Sequence, residues 1–190
     1  VVSAGPARAA SAIREALAKG ADRGIQIEDE ALGRLDSFTV ARALAAAIRA
    51  EPFDLILTGL QSDDLGYGQT GVILAELLGV PHATLIMAVD KIESGIRVKR
   101  ELEAGWFQYV QMPLPALLAI QSGINKVRYA TLMGIKKAKT KELKRLSATE
   151  AGVSMEPRQV VRRVYAPQKS KQTQLIEGSA KEAAAKLVEK

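Results

Sequence analysis

Through Gly79 the chain alternates between short apolar runs and stretches with apolar residues at helical spacing. Val1-Val2 reads as the tail of a strand, Ser3-Ala4-Gly5 as the turn after it, and Pro6 as an early helix residue. Ala9, Ala10, Ile13, Ala16 and Leu17 form an apolar stripe that Gly20 ends. Arg23 to Ile27 is a short strand candidate. Asp36 or Ser37 can cap the next helix. Its inward positions are Phe38, Val40, Ala41, Leu44, Ala45 and Ile48, and Glu51-Pro52 stops it. Leu55-Ile56-Leu57, bounded by Asp54 and by Thr58-Gly59, reads as a buried strand. A loop rich in Gly and Asp follows. Thr70 then opens a helical pattern of Val72, Ile73, Ala75, Leu77 and Leu78 that Gly79 stops. This alternation predicts a parallel sheet with right-handed crossovers, helices on its faces, and ligands at the carboxyl ends of the strands.

Beyond Gly79 the rhythm changes. Ala83–Asp90, Arg97–Leu102 and Trp106–Met112 are rich in strand formers, and Glu103-Ala104-Gly105 turns the last two into a hairpin. Pro113, Pro115 and Leu117–Ile120 suggest a return strand. Trp106, the one tryptophan, is expected to pack on the sheet, and His82, the one histidine, to be structural. Thr131 to Ile135 is apolar but flanked by charge, so it is either a buried helix start or an exposed apolar anchor. Lys136 to Arg145 is expected to be helix or loop, and the core signal fades beyond Ser147. Glu156 to Tyr165 reads as an extended piece and Ala166 to Thr173 as a linker. Ser179 to Glu189 reads as a helix with Ser179 and Glu182 as a capping box.

The stretch from Asp54 to Gly79 carries the candidate chemistry. A strand, a Gly-rich loop and a helix N-terminus together make a layout that binds phosphate. The first helical turn has free N–H groups, and glycines allow close approach. The loop is neither a Walker loop nor GxGxxG, so an ordinary strand-to-helix turn stays open beside nucleotide binding. Asp63 and Asp64 would repel a phosphate set against them. Beside a nucleotide they would meet ribose hydroxyls or cap backbone N–H groups; otherwise they are solvated turn residues. Ser/His/Asp and HExxH patterns and metal-spaced ligand sets are missing, so no catalytic residue and no metal site is assigned.

Composition narrows the picture. The 190 residues suffice for a domain with a core, and 47% apolar and 25% charged residues are ordinary for a globular protein. The absence of cysteine removes disulfides, thiolate metal sites and Cys nucleophiles, but leaves the redox compartment undecided. No apolar run reaches the roughly 18 residues of a membrane span, and no signal peptide is evident. The net charge of +6 is uneven. Lys126, Arg128, Lys136, Lys137, Lys139, Lys141, Lys144 and Arg145 cluster against a single acid, Glu142. Such a block suits nucleic acid, an acidic membrane, an acidic protein partner, or simply solvent. With 4% aromatics, base-stacking platforms are not evident and nucleic acid is not expected.

Gln61-Ser62-Asp63-Asp64 followed by Gly68-Gln69-Thr70-Gly71, after a DLIL-type strand, resembles the β subunit of electron transfer flavoproteins. Ser3-Ala4-Gly5-Pro6 and Ala18 to Gly24 resemble that family's second strand–helix–strand unit, and Arg128-Tyr129-Ala130-Thr131-Leu132 with the following lysines its partner-docking loop. The resemblance implies a heterodimer with an α subunit that carries the redox-active FAD. It implies electrons taken from acyl-CoA-type dehydrogenases and passed to a membrane quinone oxidoreductase, and an AMP held structurally in this subunit. It places the AMP site at Ala4, Gly59, Gln61, Ser62, Asp63, Asp64, Gly68, Gln69, Thr70 and Gly71. Docking falls to Tyr129, Leu132, Met133, Ile135, Lys136 and Lys137, with Leu132 as the anchor. Leu65 to Gly68 depart from the family's more acidic loop, so side-chain contacts there do not carry over. Electron-bifurcating relatives hold a second FAD in this subunit and show Gln-Val-Gly-Pro at the helix start; Gln69-Thr70-Gly71-Val72 favours AMP.

The expected fold is therefore α/β: a three-layer Rossmann-like, adenine-nucleotide-hydrolase-like, mostly parallel sheet with an added β-hairpin and an extended C-terminal arm. Residues 1–146 form the nucleotide-binding domain and 147–190 an arm that packs on the partner subunit. The family's N-terminal strand is expected to be absent from this chain. The alternatives are a fold-related ATP-hydrolysing or adenylating enzyme and a stand-alone nucleotide-binding module. The compartment implied is the cytoplasm in a bacterium, which is favoured, or the mitochondrial matrix in a eukaryote.

Overall fold

A computed structural model describes residues 1–166 and 174–188. They belong to two compact units, Val1–Val160 and Val161–Lys190. In chain order the first unit contains β1 (Val2–Gly5), α1 (Ala10–Ala18), β2 (Gly24–Glu28), α2 (Ser37–Ile48), β3 (Leu55–Gly59), α3 (Thr70–Leu78), β4 (His82–Ile92), β5 (Gly95–Glu101), β6 (Phe107–Met112), β7 (Ala116–Ile120), α4 (Leu132–Ala138) and β8 (Leu143–Ser147). The fold is mixed α/β and Rossmann-like, with parallel pairing at its centre. The strands form two sheets, one ordered β1-β2-β8 and one ordered β3-β7-β4-β5-β6. The first is wholly parallel, with Ala4 opposite Ile27 and Ile27 opposite Leu146. In the second, β7 runs parallel to both β3 and β4, while β4-β5 and β5-β6 are antiparallel. Ala116 to Ala119 in β7 are all buried, as an unbroken apolar run between two parallel neighbours requires.

Helix α2 joins the sheets. Ala41, Ala45 and Ile48 pack with Leu74 and Ala75 of α3 and Leu117 of β7. Ala43 and Ala47, on another side of the same helix, pack with Ile25 and Ile27 of β2 and with Leu32. Alanine favours the helix and loses no side-chain entropy on burial, and its small size lets the helix sit close to both neighbours.

Several expectations change. Ser3 to Gly5 lie in β1, and a 3-10 turn at Ala7–Ala9 precedes α1. Leu57 is 61% exposed, on a strand that is outermost in its sheet and pairs only with β7, while Leu55 and Ile56 are half-buried. Trp106 does not pack on the sheet; it follows the turn Glu103–Gly105 and is 74% exposed. His82 opens β4 and is exposed. Leu143 to Arg145, expected as helix or loop, belong to β8, where Leu143 packs on the α1 cluster and Leu146, three residues on and so on the opposite face, packs on the Ile25–Ile27 cluster, while Lys144 and Arg145 are exposed.

The core also continues past Ser147. Ala148 is buried, and Val153 and Met155 pack on the Ile25–Ile27 cluster. Asp36 then secures residues 158–159. Its Oδ1 caps α2 by accepting from the Thr39 N–H at 2.8 Å, and its Oδ2 accepts from the Arg158 and Gln159 N–H groups at 2.5 and 2.7 Å. Arg42 donates to the Ser154 and Glu156 carbonyls, and the guanidinium groups of Arg42 and Arg158 lie over the Phe38 ring. In the second unit α5 (Ala180–Val188) carries the expected capping box. The Ser179 N–H and hydroxyl both donate to Glu182 Oε2 at 2.8 Å, and no residue of α5 is buried. The linker at 167–173 and Glu189 lie outside the described residues.

Burial opposes ionisation of Asp36, but the hydrogen bonds from Thr39, Gln159 and Arg158 outweigh it and hold the carboxyl below its ordinary value of 3.8. A depressed carboxylate stabilises the fold above its unfolded pKa and ceases to do so as pH falls through the folded one. The stability difference between the wild type and Asp36→Asn should therefore be largest near about pH 6 and shrink below about pH 4 in urea titrations. A difference independent of pH would show that the ionised form has no special role.

Candidate functional site

Two groups of residues stand out in the first unit. The first is the connection from β3 to α3. Ser62 accepts the Gly66 N–H through its carbonyl at 3.0 Å, closing a turn, and Gly66 and Gly68 have φ of +62° each, where glycine is favoured. Gln69 precedes α3 and makes no side-chain cap. The first-turn N–H groups of α3 thus have no side-chain acceptor at the cap, which leaves them suited to an anion. Gly71 is required by packing. A Cβ there would stand 2.6 Å from Thr58 Oγ1, so the helix start presses on the end of β3. That Thr58 hydroxyl is buried and finds no hydrogen-bond partner among the described residues. Sequence reasoning passed over it; its one signal was a hydroxyl residue closing an apolar strand run just before Gly59.

Gln61, Ser62, Asp63, Asp64 and Gln69 are exposed, and Gly68 and Thr70 half-buried. The Ser62 hydroxyl and the Leu65 N–H donate to Asp64 and hold its carboxyl below the usual range, so it is ionised at neutral pH. Its Oδ1 serves the Leu65 N–H at 2.8 Å, the backbone-capping role open to it from sequence. The α3 amides and the Thr58 hydroxyl together are donors of the kind a phosphate-bearing ligand needs. Ala4 sits in β1 of the other sheet, half-buried, while Gly59 ends β3. Among the described residues no group of His, Cys, Asp or Glu is placed to hold a metal ion.

The second group surrounds α4. Thr131 caps it by accepting the Gly134 N–H at 3.0 Å. The helix then lies against α1: Ala138 packs with Ile13 and Leu17, and a Cβ at Gly134 would stand 2.4 Å from the Ala18 carbonyl oxygen. Two cations complete the joint. Arg14 Nη1 donates to the Ala138 and Lys141 carbonyls at 2.6 and 2.8 Å, and Lys141 Nζ donates to the Leu17 and Ala21 carbonyls at 3.1 and 2.6 Å. Lys141, part of the basic block in sequence, is thus an internal tie. With one side of α4 held in this way, Leu132 and Tyr129 are each 87% exposed, and Met133, Ile135, Lys136 and Lys137 are exposed beside them. Thr131 to Ile135 is thus a helix start, but its apolar side chains are exposed rather than buried.

A family model described as the electron transfer flavoprotein domain matches residues 1–151. The chain belongs to that family. It is 40% identical over 197 residues to the electron transfer flavoprotein subunit beta of Methylophilus methylotrophus, an alignment covering all of this chain and 74% of the relative. It is 39% identical over 156 residues to the bovine subunit beta, covering 81% of this chain and 61% of that relative, and 38% identical to the human one with the same coverage. The chain thus spans less than two thirds of the mammalian subunits. Electron transfer flavoproteins are electron transfer proteins that work with flavin, and among the described residues no helix is long and apolar enough to cross a membrane.

The geometry of α4 separates packing from exposure. Leu132→Ala removes a side chain that contacts little and should change unfolding free energy by no more than about 0.5 kcal/mol. Gly134→Ala forces α4 off α1 and should cost about 1–3 kcal/mol. Thermal and urea unfolding of the two variants in parallel will check both; a large loss with Leu132→Ala would place that residue in the core.

Proposed function

We propose that this chain acts as the β subunit of a heterodimeric electron transfer flavoprotein. Electrons pass from acyl-CoA-type dehydrogenases, through FAD held mainly by the α subunit, to a quinone oxidoreductase. This chain supplies structural nucleotide binding and donor docking rather than a catalytic site of its own. AMP fits the Gly59–Gly71 loop better than a second FAD, as Gln69-Thr70-Gly71-Val72 supports. The α3 amides and the Thr58 hydroxyl would hold the phosphate, Gly71 keeps the helix start against β3, and Asp63 or Asp64 is left for the ribose hydroxyls. The family resemblance adds Ala4 of β1 to the same site. In a bacterium this places the protein in the cytoplasm.

The observation that carries the electron-transfer reading is the exposed Leu132 at the start of a helix fastened from behind by Arg14 and Lys141, with Lys136 and Lys137 beside it. An apolar anchor gives affinity once buried on a partner, and surrounding cations speed encounter with an acidic surface. Docking falls to Tyr129, Leu132, Met133, Ile135, Lys136 and Lys137. The arm beyond Val160 is assigned to the α subunit, since none of α5 is buried within this chain.

In the assembled flavoprotein, Leu132→Ala should slow electron transfer from an acyl-CoA dehydrogenase by about tenfold or more, with flavin content unchanged. Stopped-flow reduction of the flavin reads this directly, and wild-type rates would sink the docking assignment. Gly71→Val should abolish retention of nucleotide, measured by extraction and chromatography; an undiminished AMP content would count against the loop as its site.

A further inference from the structure

Between α1 and α4 the structure leaves a cleft of about 500 Å³ beside the docking anchor. Its walls are apolar: Ala18, Ala130, Ile135 and Ala138. Three of these four are alanines, so the cleft exists because the facing side chains are small. The α1–α4 joint cannot close it, because Gly134 already brings α4 into contact with the Ala18 carbonyl and Arg14 and Lys141 set the spacing. Arg14 and Lys139 stand at its rim, and exposed Lys136 and Lys137 lie one helical turn or less away. The rim's acid, Glu15, is matched by Lys19 at 2.6 Å. The surroundings are therefore positive and the interior is apolar.

We infer that this cleft receives an apolar side chain of the electron donor, presented on a segment whose neighbouring residues are acidic. The contact is then reciprocal: Leu132 enters the donor, and a donor side chain enters the cleft. Charge complementarity selects the occupant. An apolar group flanked by carboxylates meets Arg14 and Lys139 at the cleft and Lys136 and Lys137 on the exposed part of α4 beside it, whereas a basic segment would be repelled. Ile135 belongs to both contacts, since it lines the cleft and is exposed beside Leu132. The inference rests on the docking reading above and adds a second, concave element to it.

Filling the cleft tests this without touching the anchor. The two-subunit flavoprotein is prepared with Ala130→Leu and, separately, with Leu132→Ala. Turnover with an acyl-CoA dehydrogenase reduced by its acyl-CoA is then measured against flavoprotein concentration. Ala130→Leu is expected to raise KM about tenfold, the factor that losing the burial of one aliphatic side chain carries. The limiting rate, flavin content and melting temperature should stay at wild-type values. If the leucine variant does not fold, Ala130→Met fills the same space with a more adaptable side chain and carries the same expectation. Glu15→Gln should lower KM about twofold at low salt by removing the one acid from the rim; a rise would overturn the acidic occupant. An unchanged KM for the folded filling variant, with Leu132→Ala still impaired, overturns the cleft while leaving the docking anchor standing. An unchanged KM for both overturns the docking reading and the cleft together.

Discussion

The constraint on which the first unit depends is the close approach of α2 to both sheets. One helix places Ala41 and Ala45 against α3 and β7, and Ala43 and Ala47 against β2. Larger residues on either side would push apart layers that each rely on the other for burial. The position of α3 follows from this contact, because Leu74 and Ala75 meet the α2 alanines. With α3 fixed from behind, its first turn is forced against β3, and only glycine fits at 71 beside Thr58. The candidate nucleotide loop is therefore held at its two ends by packing and needs few side-chain bonds of its own.

A second joint, between α1 and α4, works by different physics. The buried apolar area is small, limited to Ile13, Leu17 and Ala138 with their neighbours. Cations carry the rest: Arg14 reaches the carbonyl at the end of α4, and Lys141 one carbonyl in the last turn of α1 and one just after it, where the helix dipoles favour positive charge. A helix fastened in this way does not need its remaining apolar residues for stability. Leu132, Met133 and Tyr129 are left facing solvent as a patch, and such patches on an otherwise ordinary surface mark interaction sites.

Not every element was equally readable in the chain. Helices α1, α2 and α5 and the β3–loop–α3 unit could be recognised because their signals are local: spacing, caps at Asp36 and Ser179, and the stop at Gly79. The edge position of β3 could not, since the run Leu55-Ile56-Leu57 looks the same in a central or an outer strand. Nor could the role of Lys141. A lysine in a basic block reads as solvated until Leu17 and Ala21, distant in sequence, arrive beside it. Trp106 misled for the converse reason, because a large aromatic in a strand-like run suggests burial and only the turn at Glu103–Gly105 turns it outward.

By itself the sequence determined the alternation of strands and helices, the Gly-rich loop with its two aspartates, the basic block after Lys126, and the motifs that resemble electron transfer flavoprotein β subunits. Each of these is written in neighbouring residues. Only the tertiary structure decided which hydrophobic residues are spent on the core and which are left outside. It closed α4 onto α1 and so exposed Leu132. It drew Leu143 to Ser147 into a sheet beside β2 and tied residues 158–159 to Asp36. Burial and long-range hydrogen bonding depend on what the rest of the chain brings near, and no local pattern carries that information.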